Sequence, residues 1–371
     1  VAYVEGYWGG SHRAAAEGWA GASRHDVGLH HLPARFWKWR MRGAAFEFAR
    51  RLGPQAAEID VIFATSVLDL AHLLAFLPRR VPSVLYFHEN QASFPARPGE
   101  SPADRDLSYA FVDLAGALAA DAVAFNSDYQ RGSFLSAVTE LVGRMPDARP
   151  TKVLEAVRRK CRVLPLGVSL ADIPSRPPPD EGPPIVLWNH RWEYDKAPEV
   201  FFRVLLRLAA RGVAFRVMVL GQSFSRTPAE FERARGELGD RVVRWGFEAN
   251  RADYAACLAR ADVVVSTAIQ ENFGLSVVEA AYAGAHPLVP RRLAYPEVLP
   301  PELHPACLYE DEADLEARLE DLLAGPARRV GPDRLRSLFG ACDWGVRAEG
   351  FDEVVSEVGS QFPGRAEMWY T

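Results

Sequence analysis

The feature that most constrains the fold of this chain is an alternation of short β-rich runs with helix-forming segments, played out twice and divided by a proline-rich stretch. In the first half the runs are Ala2 to Glu5, Val27 to Leu32, Ile59 to Thr65, Ser83 to His88, Ala122 to Asn126 and Arg162 to Pro165. Between several of them lie Ala-, Leu- and Arg-rich segments suited to helices, such as Gly43 to Leu52 and Leu107 to Ala120. Strands separated by helices of this length predict parallel sheets covered by helices. Residues 173–184 carry too much proline for either element and read as a stiff, exposed linker. The pattern restarts with Ile185 to Asn189, Phe215 to Leu220, Val242 to Trp245, Val263 to Thr267 and Pro287 to Val289. The expected organisation is therefore a first α/β domain over 1–172, a linker over 173–184, a second α/β domain over 185–340 and a helical extension over 341–371. That extension opens with a helix from Trp344 to Val358 and is expected to pack toward the first domain.

With 371 residues, 49% hydrophobic and 25% charged, the chain is long enough to bury two cores. No run approaches the roughly 20 apolar residues of a membrane span. The opening residues Val1 to Glu5 lack the basic-then-apolar pattern of a leader. The expectation is a soluble, cytoplasmic protein without a membrane partner. Cys161, Cys257, Cys307 and Cys342 lie far apart with no C-x-x-C, which favours buried thiols over a zinc site or a disulfide framework. A net charge of −5 argues against a general nucleic-acid binder but leaves room for a local basic patch.

In open parallel sheets ligands bind beyond the carboxyl ends of the strands, and two such sheets facing each other would make a cleft. Residues that directly follow strands are the candidates. After Val263 to Thr267 comes Glu271-Asn272-Phe273-Gly274-Leu275-Ser276-Val277-Val278-Glu279, two carboxylates with seven residues between them. If Leu275 to Ala283 is helical, the amides around Phe273, Gly274 and Leu275 point from a helix N-terminus toward an anion such as a phosphate. Two solvated glutamates beside a helix start would give the same spacing. Arg191 and Lys196 follow Ile185 to Asn189 and suit a diphosphate leaving group, the arginine as a planar fork and the lysine as a mobile point charge. The competing reading is surface pairing with Glu193 and Asp195.

In the first half, Tyr7-Trp8-Gly9-Gly10-Ser11-His12 links a strand to a helix. Ser11 is expected to cap that helix, and Gly9 and Gly10 would let the backbone approach a transferred sugar or diphosphate. His88-Glu89-Asn90-Gln91 ends a strand with concentrated polarity. Arg35-Phe36-Trp37-Lys38-Trp39-Arg40-Met41-Arg42 interleaves aromatic and basic side chains, which suits unpaired bases and phosphates. Its alternative is an amphipathic segment that buries Phe36 and Trp39 against the sheet. A second basic stretch carries Lys152, Arg158, Arg159, Lys160 and Arg162, either tracking an RNA backbone or forming a solvated helix face.

Arg191 and Lys196 followed by Glu271 to Glu279 are similar to the donor-site motif of glycosyltransferase family 4. That resemblance implies a GT-B fold of two Rossmann-like domains facing across a cleft, with a C-terminal helix returning to the N-terminal domain. It implies that Arg191 and Lys196 contact the diphosphate, Glu271 the sugar hydroxyls and Glu279 the ribose. The nucleobase would lie near Gly246 and Phe247, and Asn272, Phe273, Gly274 and Leu275 would complete the donor site. His88 matches a histidine that lies close to the reacting sugar in that family.

Tyr7 to His12, Trp37 to Arg42, Tyr86 to Gln91 and His190 to Lys196 together resemble the tRNA-queuosine mannosyltransferase group over nearly the whole chain. The resemblance implies GDP-mannose as donor and the cyclopentene-diol of queuosine, at the wobble position of a tRNA anticodon, as acceptor. The first domain would then serve tRNA and the second the nucleotide sugar. Acceptor contacts are expected from Ser11, His12, Arg35, Trp37, Lys38, Trp39, Arg40, Arg42, Glu89 and Asn90. The expected chemistry is retaining front-face displacement by His88, Glu271, Arg191 and Lys196, with no cofactor and no metal. Two other readings stand beside it: a family 4 transferase using another nucleotide sugar and a lipid or polysaccharide acceptor, and a non-catalytic nucleotide-sugar or RNA-binding protein.

Overall fold

The structure is a computed structural model that describes residues 1–96, 99, 106–178, 181–222 and 228–361. It divides into two compact units, Val1–Gly167 with Trp344–Thr371, and Val168–Asp343.

The first unit is built on six parallel strands: β1 (Ala2–Trp8), β2 (Gly28–Pro33), β3 (Ile62–Thr65), β4 (Ser83–Phe87), β5 (Ala122–Phe125) and β6 (Cys161–Val163), in the order β2-β1-β3-β4-β5-β6. The central strands β3, β4 and β5 are buried throughout, as their unbroken apolar runs require when helices cover both faces. Because side chains alternate along a strand, Val4, Ala64, Leu85 and Val123 share one face with Ala44, Phe48, Leu114 and Phe134 of the helices. Tyr3, Phe63 and Tyr86 point the other way. There Phe63 meets Trp19 of α1 (Gly10–Ala22) with ring centroids 4.6 Å apart, and Phe351 of the helix Trp344–Ser360 at 5.8 Å. Two further helices of this unit, α2 (Trp37–Leu52) and α3 (Leu70–Phe76), follow β2 and β3. The structure starts α2 six residues before the Gly43 expected from the sequence.

The C-terminal helix is fixed to the first unit by the buried carboxylate of Asp352 and, nearer the surface, by the Arg162–Glu357 pair. Asp352, 3% exposed, accepts the Trp19 indole N–H at 2.9 Å, the Ser23 hydroxyl at 2.5 Å and the Arg24 amide at 2.9 Å. Trp344 opens the helix in a space that only glycines leave. A Cβ on Gly18 would stand 2.1 Å from its ring, and one on Gly167 would stand 2.2 Å away.

The second unit repeats the design with β7 (Ile185–Asn189), β8 (Arg216–Leu220), β9 (Val242–Gly246), β10 (Val263–Val265), β11 (His286–Pro290) and β12 (Leu308–Tyr309), all parallel, in the order β12-β11-β10-β7-β8-β9. All eleven expected strands are present. The two-residue edge strand β12 is too short to stand out from its neighbours in sequence. Trp188, Phe201 and Phe231 anchor the core beneath β7.

Most described residues of the proline-rich stretch are exposed, as expected of a linker, but the stretch is fastened to the second unit at several points. The first unit closes at Gly167, and residues 173–178 lie against the second unit. Ile173 is buried, Arg176 pairs with Asp262 at 2.7 Å, and Arg336 donates to the carbonyls of Ile173 and Pro174 at 3.0 and 3.2 Å. Proline removes amide donors but leaves every carbonyl, and a guanidinium satisfies two of them here. Residues 179 and 180 of that stretch, and 362–371 of the extension, lie outside the described residues. No helix among the described residues is long and apolar enough to cross a membrane. The four cysteines are free; Cys307 and Cys342 are buried, whereas Cys161 and Cys257 are half-buried.

Replacing Asp352 with alanine leaves the Trp19 and Arg24 N–H groups inside without their acceptor. The expected loss is about 2–4 kcal/mol of unfolding free energy, read by urea denaturation. A change below about 0.5 kcal/mol would show that the helix is held by apolar packing alone.

Candidate functional site

In the second unit the expected donor residues gather beyond the carboxyl ends of β7 and β10. Past Asn189 the chain makes a one-turn helix, Tyr194–Lys196, and leaves it through Ala197 at φ +44°. This turn drives the Lys196 ammonium inward, where it donates to the Gln270 carbonyl at 2.7 Å and lies 3.3 Å from Glu271 and 3.2 Å from Asp195. Burial alone would pull the lysine pKa down, but Glu271 and Asp195 outweigh it and leave it above the ordinary value. Arg191 stays half-exposed, 3.2 Å from Glu193 and 3.7 Å from Asp195, so the carboxylates proposed as its surface partners do face it. Asp195 is itself 1% exposed and belongs to the cluster.

Glu271 corrects one expectation. Its Oε1 accepts the amides of Asn272, Phe273 and Gly274 at 3.2, 3.4 and 3.0 Å, so the anion in that amide nest is the protein's own carboxylate, where a phosphate was expected. Burial pushes the Glu271 pKa up, but Lys196 and the amides hold it below the usual carboxylate range. The carboxylate is thus ionised and fixed. Gly274 caps the helix Leu275–Tyr282 at φ +91°, and a Cβ there would stand 2.9 Å from the Tyr295 ring. The amides of Leu275 and Ser276 lie in that helix's first turn, where the backbone leaves N–H groups for an outside acceptor.

Glu279 sits inside the helix and is nearly buried. Arg251 donates to one oxygen at 2.6 Å and the Tyr254 hydroxyl to the other at 3.0 Å. Burial raises its pKa, against the pull of Arg251. Tyr254 and the Ser276 carbonyl in turn accept from Asn189 at 3.1 and 2.9 Å. Gly246 ends β9 at φ +119°, followed by Phe247, 60% exposed and offering an aromatic face. Arg251, Tyr254 and His190 escaped the sequence reading, since an arginine and a tyrosine opening an ordinary helix carry no pattern of their own, and Asp195 was read only as a surface partner. His190, next to the Ser276 hydroxyl at 3.3 Å, is pulled by burial and then by Lys196 to a pKa of about 4 and is neutral.

In the first unit the carboxyl ends of β1 and β4 bring His12 and His88 together, with ring centroids 4.3 Å apart. Glu5 joins them. It is fully buried in the middle of β1, accepts the Tyr7 amide at 2.7 Å, and takes the His12 Nδ1–H at 3.0 Å. A carboxylate can only accept, so Nδ1 is the nitrogen of His12 that carries hydrogen in this bond. Burial first, then His12, lowers the His88 pKa well below that of a free imidazole. Asn126 fixes the strand end by donating to the His88 carbonyl at 3.0 Å. Glu5 was missed, although a carboxylate inside an apolar strand run is itself a signal. Among the described residues, Glu5, His12 and His88 place ligating atoms within 4.8 Å of one another, a donor set able to take a divalent cation.

The remaining candidates are Gly9 and Gly10, expected at the donor, and the residues expected at the acceptor. Gly9 is the N-cap of α1, extended and without a side-chain cap, and Gly10 at φ +51° opens the helix. Ser11 is therefore exposed in the first turn and does not cap it. In the loop after β4, Glu89 is half-buried, while Asn90 is buried with its side-chain oxygen accepting the Ser93 amide at 2.8 Å. Asp113 holds the same loop through the Gln91 amide at 2.6 Å. In α2, Trp37 packs on Tyr109 at 5.3 Å, Arg40 is half-buried, and Arg42 lies over Tyr109 at 5.1 Å. Arg35 and Lys38 are exposed. Phe36 and Trp39 are 69% and 79% exposed, so the alternative in which they bury against the sheet does not hold.

Lowering pH tests the neutral His190. The unfolded chain binds a proton there below about pH 6.5, the folded chain only near 4. Its contribution to stability is full above 6.5 and is lost as pH falls toward 4. In His190→Gln the stability difference between pH 7 and pH 5 is expected to be about 2 kcal/mol smaller than in the parent. Urea unfolding at both pH values measures it, and equal differences would mean that His190 is protonated in the folded state.

Comparison with known proteins agrees with this geometry. Residues 1–168 match the family described as tRNA-queuosine alpha-mannosyltransferase N-terminal, and residues 171–333 match glycosyl transferases group 1. A Drosophila melanogaster tRNA-queuosine alpha-mannosyltransferase is 35% identical over 314 residues, which span 81% of this chain and 82% of the relative. Among solved structures, sucrose-phosphate synthase from Thermosynechococcus elongatus aligns with a TM-score of 0.72 at 16% identity, over 97% of this chain and 99% of that one. Anabaena HepE in complex with UDP and glucose aligns with a TM-score of 0.69 at 15% identity, over 96% and 99%. At such identities the likeness is one of fold, and the fold is GT-B.

Proposed function

The chain belongs to the tRNA-queuosine alpha-mannosyltransferase family, and from that premise we propose that it moves mannose from GDP-mannose to the cyclopentene-diol of queuosine in a tRNA anticodon, with retention at the anomeric carbon. The observation that carries the donor half of this reading is Glu271, held ionised by three backbone amides and Lys196. A carboxylate fixed in this way accepts charge-assisted hydrogen bonds from sugar hydroxyls, whereas a mobile one would first have to be ordered.

The leaving diphosphate needs positive potential that is in place before the bond breaks. Lys196, Arg191 and the first-turn amides of Leu275 and Ser276 supply it, and a low-dielectric surrounding strengthens each of them. Glu279, steadied by Arg251 and Tyr254, is placed for the ribose, and Phe247 beyond Gly246 offers a face for the base. In the first unit the family resemblance assigns neutral His88 to the reacting sugar and His12, oriented by Glu5, to the acceptor. As the acceptor oxygen bonds to C1 of mannose, the C1–O bond to phosphate breaks and its electron pair leaves with GDP, whose oxygen receives the acceptor proton. Two cations and a helix end provide the charge compensation that a metal supplies in other transferases, so no metal is required.

The deciding experiment is mass spectrometry of nucleosides from queuosine-containing tRNA incubated with the protein and GDP-mannose, with UDP-hexoses in parallel. A hexose added to queuosine from GDP-mannose is expected, and EDTA should leave the yield largely intact. Nucleotide-sugar binding without added mass would move the acceptor to a lipid or polysaccharide. Arg191→Ala and Lys196→Ala are each expected to lower turnover on the order of 10²-fold, and near-parent rates in both would remove them from the donor site.

A further inference from the structure

The buried side of α2 is set by Met41, Ala44, Ala45, Phe48 and Leu52. Its opposite side is unusual for a face turned to water. Trp39, Arg42, Phe46 and Arg50 succeed one another at intervals of three, four and four residues, which puts them on one ridge over roughly 16 Å. Trp39 and Phe46 are 79% and 59% exposed, and the side chains of Arg42 and Arg50 are 54% and 71% exposed. At the far end Phe76 of α3, also about half exposed, stands 5.3 Å from the Phe46 ring. The fold has its core without these rings.

Charge singles out the same ridge. Between Arg35 and Leu52 there are six cations and one carboxylate, Glu47, in a chain of net charge −5. Glu47 is shared by Arg50 and Arg51 at 2.8 and 2.6 Å, and Arg42 lies 3.5 Å from Asp106. These pairs are exposed and weak, so a polyanion can displace them.

We infer that the ridge Trp39–Arg42–Phe46–Arg50, ending on Phe76, is a track for unpaired RNA that holds loop nucleotides flanking the modified base. This rests on the family reading above and extends it to residues outside the reacting site. Each ring can accept a base, and each guanidinium between rings can reach a phosphate. The alternation distinguishes the occupant. A lipid-facing helix would separate its apolar and basic sides, and paired RNA would present no base faces for Phe46 and Phe76 to stack on.

The test measures fluorescence anisotropy with a queuosine-containing anticodon stem–loop, and with a duplex of the same length, across a salt series. Phe46→Ala/Phe76→Ala is expected to weaken stem–loop binding about tenfold or more, with the salt dependence retained. Arg42→Gln/Arg50→Gln is expected to flatten the slope of log Kd against log salt by about 1 to 2. Both side-chain pairs are exposed; circular dichroism and GDP binding check that the variants are folded. Parent affinity in both double variants overturns the track, as does equal binding of duplex, or binding of phosphatidylserine vesicles in place of RNA. The mass-spectrometric assay on the parent protein fails independently if the family reading itself is wrong.

Discussion

The second unit depends on how one buried cation is compensated. Lys196 lies among Asp195, Glu271 and the Gln270 carbonyl, and an ammonium removed from water without such partners would lose its proton instead of holding its charge. The strained turn at Ala197, the loop before the helix Leu275–Tyr282, and Gly274 at positive φ all serve to bring these groups within reach. Because Glu271 also takes three amides, the carboxylate is over-determined. The electrostatic order around Lys196 and Glu271 is therefore established by folding, before any ligand arrives.

The first unit uses a different device. It keeps two imidazoles near each other by making one donate to a buried carboxylate and by burying the other deeply enough to stay neutral. Two protonated rings at that separation would repel, and Glu5 resolves the ambiguity by fixing which nitrogen of His12 carries hydrogen. The positions follow from the sheet. Only β3 lies between β1 and β4, so residues just past the ends of β1 and β4 converge although 76 positions separate His12 from His88.

What could be read in the sequence divides along a physical line. Strands buried on both faces announce themselves as apolar runs, and Arg191, Lys196, Glu271 and Glu279 carry spacing that matches a known motif. Glu5, Arg251 and Tyr254 were not found, because their roles come from partners brought near by folding. Glu279 is a clear instance: its place in the helix was legible, but the arginine and tyrosine that occupy its two oxygens begin the helix after β9. That the proline-rich stretch is fastened was not legible for a related reason. Proline content reports the loss of amide donors, but whether such a segment is free or fastened depends on donors elsewhere, here Arg336 and the Arg176–Asp262 pair.

Net charge misleads in the same way, because it averages over distances longer than those at which charges act. At physiological salt the Debye length is about 8 Å, shorter than α2 itself, so an acidic remainder of the chain does not neutralise a basic ridge. Among the described residues the carboxylates paired with the ridge are Glu47 and Asp106, and both are partly exposed partners whose hold is weak. An acidic protein can therefore keep one face attractive to a polyanion while the rest repels non-specific contact. Such a distribution favours short loops presented to one helix over long duplexes that must lie across the whole surface.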